Sequence, residues 1–378
     1  MAFSKIAAGG VDGGVGDSLR PNAAPIIING NCAVAQRATS ATGKTTGDIY
    51  TVDRMALLLD AQGTYTVAQE SLTSGNAFAN GFANAWRVDC TTADASPSAS
   101  DQLGLQYTFE GQHLQVFKKG TANAEKFTLA FWVKSNKTGT GNIHLKDKDN
   151  SNRQCTQSYT ISVANTWEHK VCVFGADTTG AFGDDVNKSL IINWYLGSGT
   201  DSSSGTANHG TWEAQDQTKV NDGGTLNIND NTANDWSITG IQLEVGEYTS
   251  STLPPFQHES FGENLARCQR YYYHHASGDN VVVGMGSYYG STSLQSAIHF
   301  PVSMRTAPTA DFTMGTGYIT LHRNAAADEI NDLNVEKATV NACDLTADNS
   351  DGVSGTAGHA TRIKTSNAST VVAFKAEL

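Results

Sequence analysis

Short alternating apolar runs, separated by turn chemistry, constrain this chain more than any other feature. The run Phe127-Thr-Leu-Ala-Phe-Trp-Val-Lys134 puts Phe127, Leu129, Phe131 and Val133 on one face. Thr128, Ala130, Trp132 and Lys134 fall on the other, which is the period of a half-buried strand. Ser158–Val163, Trp167–Phe174, Ser189–Leu196 and Trp236–Val245 read as further strands. Between them lie Asn136–Gly141, Asp147–Asn152, Gly175–Gly180, Gly197–Gly205 and Asn221–Gly224, all supplied with turn residues. No helical segment separates the strands, so residues 25–256 predict an antiparallel sandwich.

The surface such a fold would expose is sparsely charged. Lys and Arg number 25 against 37 Asp and Glu, a net charge of −12. A clustered basic face is missing from that balance, which argues against nucleic acid as a partner. No stretch approaches the length and apolarity of a membrane-spanning helix, so no membrane insertion is expected. Met1–Gly16 lacks a basic-then-apolar leader, so export by the general secretory route is not expected. The six cysteines form no CxxC pair. They predict buried thiols rather than a zinc cluster or a disulfide scaffold, and no cofactor is implied.

The two ends read differently. Residues 1–24 hold five glycines between Gly9 and Gly16 and then Pro21, too little apolar surface to order alone. They read either as an attachment peptide or as a disordered terminus. After Pro255, Ser260 and Glu263 have capping-box spacing. Phe261, Leu265, Cys268 and Tyr272 then follow at helical intervals, predicting a linker helix within 257–276. A helix so short needs a partner for its apolar stripe, so these four residues are the candidate oligomer seam. Residues 277–378 carry a second β segment, with strands expected at Asn280–Val283, Ser296–Phe300, Thr339–Val340 and Thr370–Phe374. Their number suits a small second sandwich.

Several motifs imitate functional sites. Gly43-Lys44-Thr45 lacks the upstream Gly of a phosphate loop, since Ala38 stands there, and reads as a polar turn. Asp147-Lys-Asp-Asn-Ser151 resembles the opening of a calcium loop, but Asn152 and Ser158 occupy the positions that need Gly and Glu. A hairpin turn and an irregular calcium site both remain open there. His274-His275 reads as packing at a domain junction, or as a metal site only if several chains converge. Asp184-Asp185 and Asp101 with Glu110 supply acids, but a sequence does not show two carboxyls at glycosidase separation, and no Gly-x-Ser-x-Gly elbow occurs, so an enzyme is not expected. Of six tryptophans, most fall in strand patterns that predict core packing. Trp212 lies in a polar stretch and is expected to be exposed, as is the Tyr288-Tyr289 pair between Gly286 and Gly290. These three are the candidate sugar-stacking residues.

Ile26–Arg37, Thr46–Arg54, Phe109–Leu114 and Leu129–Ser135 are similar to a domain of tailed-bacteriophage virion appendages, notably tail-fibre proteins. So are Ile238-Thr-Gly-Ile-Gln-Leu-Glu-Val-Gly246, Pro255–His258, Cys268–Tyr272, Phe300–Pro308 and Phe374–Leu378. The resemblance spans about residues 26–378. It implies a jelly-roll domain like those of carbohydrate-binding modules, followed by a linking helix and a distal β domain. It also implies a homotrimer in the virion, assembled in the host cytoplasm, docked on tail or capsid proteins through 1–24 and touching host surface polysaccharide. Asn31 and Gln242 stand where related sugar-binding modules carry Asp residues that help hold calcium, so no metal is expected. Two alternatives stay open: a capsid decoration or tail adaptor protein without a receptor, and a polysaccharide depolymerase.

Overall fold

The computed structural model describes residues 24–378. The expected attachment segment at 1–24 lies outside the described residues, apart from Ala24. The chain divides into two compact units after Phe261, and it is all-β.

In chain order the first unit contains β1 (Ser40–Lys44), β2 (Ala56–Asp60), β3 (Thr64–Ser71) and a one-turn helix, α1 (Gly75–Ala79). There follow β4 (Asn84–Thr92), β5 (Gln102–Glu110), β6 (Phe127–Ser135) and β7 (Gly139–Asp147). The unit closes with β8 (Gln154–Ile161), β9 (Glu168–Phe174), β10 (Lys188–Ser198) and β11 (Asp235–Val245). One sheet runs β1-β3-β4-β11-β6-β9 and the other β2-β5-β10-β7-β8. Successive strands cross repeatedly between the sheets, giving a sandwich of jelly-roll type.

The core between the sheets follows from alternation. Phe127, Leu129, Phe131 and Val133 of β6 meet Leu190, Ile192, Trp194 and Leu196 of β10, all fully buried. Aromatic edges fix the fit: Phe131 meets Trp194 and Tyr159 nearly at right angles, and Trp86 meets Trp236 edge-on at 74°. All six cysteines are buried, and none of them forms a disulfide.

β11 breaks its own alternation. Trp236 and Ile238 point inward, and so do Ile241, Leu243 and Val245. The frame shifts between Thr239 and Gln242, where the pairing with β6 is bulged. Gly240 supplies the left-handed backbone (φ +60°) that this bulge requires. The shift turns Gln242 and Glu244 to the outer face of the six-stranded sheet.

The second unit carries α2 (Phe261–Gln269), which opens at the division point, and then the 19-residue β12 (Tyr272–Gly290). β13 (Ser293–His299), β14 (Thr309–Ala310), β15 (Ile319–Arg323) and β16 (Ala326–Ile330) follow. β17 (Asn334–Glu336), β18 (Ala342–Ala347) and β19 (Ala360–Lys375) complete it. They make one antiparallel sheet, β16-β15-β19-β12-β13-β18-β17, with β14 also on β19. Repeated bulges bend β12 against β19, and β14 comes beside β17 of the far edge. The sandwich expected here is thus a single sheet curled into a half-barrel around Leu294, Ile319, Leu321, Leu345, Ile363 and Phe374.

Two expectations need correction. α2 ends at Gln269, and Tyr272 opens a strand instead of extending the helix. The reason is non-local: Tyr272 and Tyr273 pair with Lys375 and Phe374, a century of residues away. Thr339–Val340 form no strand; they lie in the bend before β18, where the Thr339 amide and hydroxyl both bond Ala342 O.

Candidate functional site

The outer face of the six-stranded sheet carries an open cleft. Its floor is Trp132 on β6, His169 on β9, and Gly240 with Gln242 on β11. These side chains share a face because Trp132 is registered with both His169 and Thr239, and Ala130 with Gln242. One wall is Asn80 and Phe82, from the connection between α1 and β4; the other is the segment 250–258 after β11. The cleft's volume is about 410 Å³, within the range of small-ligand sites.

The walls are built from aromatic contacts. Phe82 meets Phe256 edge-on at 5.0 Å and His258 at 5.4 Å, and Phe256 meets His258 at 4.8 Å. Gly240 matters a second time here, because a Cβ would sit 2.7 Å from the Phe82 ring. Behind this wall, Leu72, Ala77, Ala85 and Trp167 form a small apolar cluster that supports Phe82 and Trp132. Gln242 fastens the opposite wall to the sheet: its Nε2 donates to Pro254 O at 3.0 Å.

The floor presents an aromatic platform. The Trp132 and His169 rings lie 4.9 Å apart, tilted by 34°, and both are half-buried. Burial, helped by the Lys170 charge, lowers the His169 pKa. The imidazole is therefore neutral near pH 7, and the platform is an uncharged π surface. Its chemistry suits the C–H face of a sugar ring, with the amides of Asn80 and Gln242 and the Ser250 hydroxyl beside it for hydroxyl groups.

The three residues expected to stack on sugar are not gathered in one place. Trp212 is only 7% exposed. Its indole Nε1 donates to Gly175 O at 2.9 Å, and its ring packs 5.9 Å from Phe127. The expected exposure of Trp212 is thus corrected: the polar stretch around it folds as a cover over an edge of the core. Tyr288 is 1% exposed, with its hydroxyl donating to Asp328 Oδ2 at 2.5 Å and the Arg323 guanidinium 5.2 Å from its ring. Burial and the Asp328 bond push its pKa up to about 12. Its neighbour Tyr289 is 76% exposed, since adjacent residues of a strand face opposite ways.

The seam candidates also separate. Phe261 is 60% exposed and Leu265 half-buried, whereas Cys268 and Tyr272 are buried within their own chain. His274 and His275 stand on β12, not on a helix. His275 is bound at both ring nitrogens, to the Tyr273 hydroxyl (2.9 Å) and to Val283 O (2.7 Å). No group of three or more His, Cys, Asp or Glu is placed to hold a metal among the described residues. Asp101 and Glu110 bracket nine-residue β5, which separates them by roughly 30 Å, far beyond any catalytic pair. Lys44 ends β1 and lies 4.4 Å from the Tyr50 ring, in no phosphate-binding setting.

Trp132 is not among the candidates the sequence offers, because tryptophans in strand patterns read there as core. The β6 alternation already placed it opposite the core-facing set, which is the signal that finds it.

No family profile matches the chain, and no curated protein matches it. Several solved structures show a distant likeness. A family 22 carbohydrate-binding module of Clostridium thermocellum Xyn10B aligns over 55% of this chain and 98% of its own, at 13% identity and TM-score 0.29. A sugar-binding protein of Bacteroides thetaiotaomicron, so described provisionally, aligns over 59% and 100%, at 14% identity and TM-score 0.30. The enzymatically active domain of bacteriophage CBA120 tailspike protein 4 aligns over 58%, at 12% identity and TM-score 0.28. This chain spans 21% of that tailspike chain. Likenesses at these scores carry no functional argument; the cleft must carry it.

Proposed function

We propose that the first unit is a glycan-binding module and that its ligand lies in the cleft over the six-stranded sheet. The observation that carries this reading is the half-buried Trp132–His169 platform, set into a cleft edged with amide and hydroxyl groups. An aromatic floor covers the apolar face of a pyranose, while the rim exchanges hydrogen bonds with its hydroxyls. The neutral imidazole and the chain's net charge of −12 favour an uncharged sugar over an anionic one.

The wider role is that of a virion appendage, a trimeric tail fibre or receptor-binding protein docked by its N-terminal residues. The resemblance of residues 26–378 to tail-fibre proteins supports it, as does Phe261 standing exposed at the start of α2. Three copies would multiply a weak sugar contact through avidity, so each cleft needs only about millimolar affinity. The role is binding, not bond cleavage.

Affinity electrophoresis through host surface polysaccharide tests the cleft. Wild type should be retarded, and Trp132→Ala should weaken binding about tenfold or more while keeping its melting temperature. Equal retardation of the two proteins would remove the cleft from consideration. Release of reducing ends from the polysaccharide would replace binding by hydrolysis. Immunogold labelling of particles tests the virion role separately.

A further inference from the structure

The turn that imitates a calcium loop holds a cation of the chain's own. Lys119 follows the short turn after Phe117, and its side chain has no solvent exposure. Its Nζ lies 2.5 Å from Asp147 Oδ2 and 3.1 Å from Asp177 Oδ2. Thr179 O and Gly180 O accept from it at 3.0 and 2.8 Å. An ammonium has three protons, so four oxygens surround a group that can direct a bond to only three. Two carboxylates and two carbonyls are the donors that hard divalent cations take. The Phe182 and Trp212 rings close the other side at 5.2 and 5.1 Å.

The walls of this cage are built without Lys119. Asp147 Oδ1 accepts from the amides of Asp149 (2.9 Å) and Asn150 (3.2 Å), and Oδ2 from Asn150 Nδ2 (2.8 Å). Arg153 grips Asp177 through Nε at 3.0 Å and a second nitrogen at 3.1 Å, and the Thr179 amide binds the same carboxylate. Removing the ammonium would therefore leave an oriented, anionic cavity lined with oxygen.

We propose that Lys119 is a tethered cation filling a site of calcium type, and that the site accepts a calcium ion once the ammonium is removed. The lysine pins the turn at 147–153, the loop at 175–183 and Trp212 together without any metal. This makes the first unit indifferent to chelators, whereas the same cage without its lysine depends on calcium.

Thermal melts of the full chain test this with three variants. Wild type should melt at the same temperature in chelator and in millimolar calcium. Lys119→Ala should melt roughly 10 °C lower in chelator and recover at least half of that loss in calcium. Lys119→Met, whose methyl fills the space without charge, should fall similarly and gain nothing from calcium. Terbium gives a direct reading, because Trp212 adjoins the cage and should sensitise its emission in Lys119→Ala but not in wild type. Adding Asp147→Asn to Lys119→Ala should abolish both the rescue and the emission. Wild-type melting that shifts with calcium, rescue of Lys119→Met equal to that of Lys119→Ala, or a Lys119→Ala protein that stays insoluble with and without calcium would each overturn the proposal.

Discussion

The His144 ring is wholly buried on the outer face of the five-stranded sheet, and burial lowers its pKa from 6.5 to about 3. The unfolded chain therefore binds a proton below pH 6.5 that the folded chain refuses. By linkage, the stability this residue contributes is complete above 6.5 and is lost as pH falls from 6.5 toward 3. The loss is about 1.4 kcal/mol for each pH unit in that window. Urea midpoints measured between pH 7 and 5 should fall for wild type and fall less steeply for His144→Gln; identical slopes would show that His144 does not drive the effect. Gly240 is the other residue with an outsized role. Gly240→Ala forces a Cβ both into a left-handed backbone position and into the Phe82 ring. It should cost about 1–3 kcal/mol by chemical denaturation and distort the cleft wall, weakening polysaccharide retention as well.

At the scale of elements, much was legible and the rest was hidden for identifiable reasons. β6 follows its alternation residue for residue, and the strands read at Trp167–Phe174 and Trp236–Val245 correspond to β9 and β11 within one residue. Local period decides such strands because each buries one face. The bulge in β11 was equally written, in the shift from Trp236 and Ile238 to Ile241 and Leu243 around Gly240, but it takes a two-sheet frame to see that it aims Gln242 at the cleft. β12 was hidden because its partner, β19, lies at the other end of the unit, and no local window contains that pairing. Trp212 misled because a polar stretch was equated with exposure, whereas its backbone and side chains bond inward. The element that closes the cleft makes its own prediction. Gln242→Ala removes the bond to Pro254 O, so hydrogen exchange across 249–258 should quicken and glycan affinity should fall about threefold to tenfold, the worth of one hydrogen bond. Unchanged exchange there would mean that the Phe256 contacts alone hold the wall.

For the whole molecule, the account joins a binding cleft to an oligomer. Of the four residues of the proposed seam, Phe261 and Leu265 keep accessible surface, while Cys268 and Tyr272 are buried. Sedimentation should give the mass of a trimer for wild type and of a single chain for Leu265→Asp; a wild-type monomer would end the trimeric reading, and an intact variant trimer would move the seam elsewhere. The cleft itself is tested most directly by a hydrogen-exchange footprint of the full chain with host surface polysaccharide. The account predicts protection concentrated in β6 near Trp132, in β9 near His169 and along 240–258. Protection confined to the second unit around Tyr289, or no protection in the first unit at saturating polysaccharide, would contradict it.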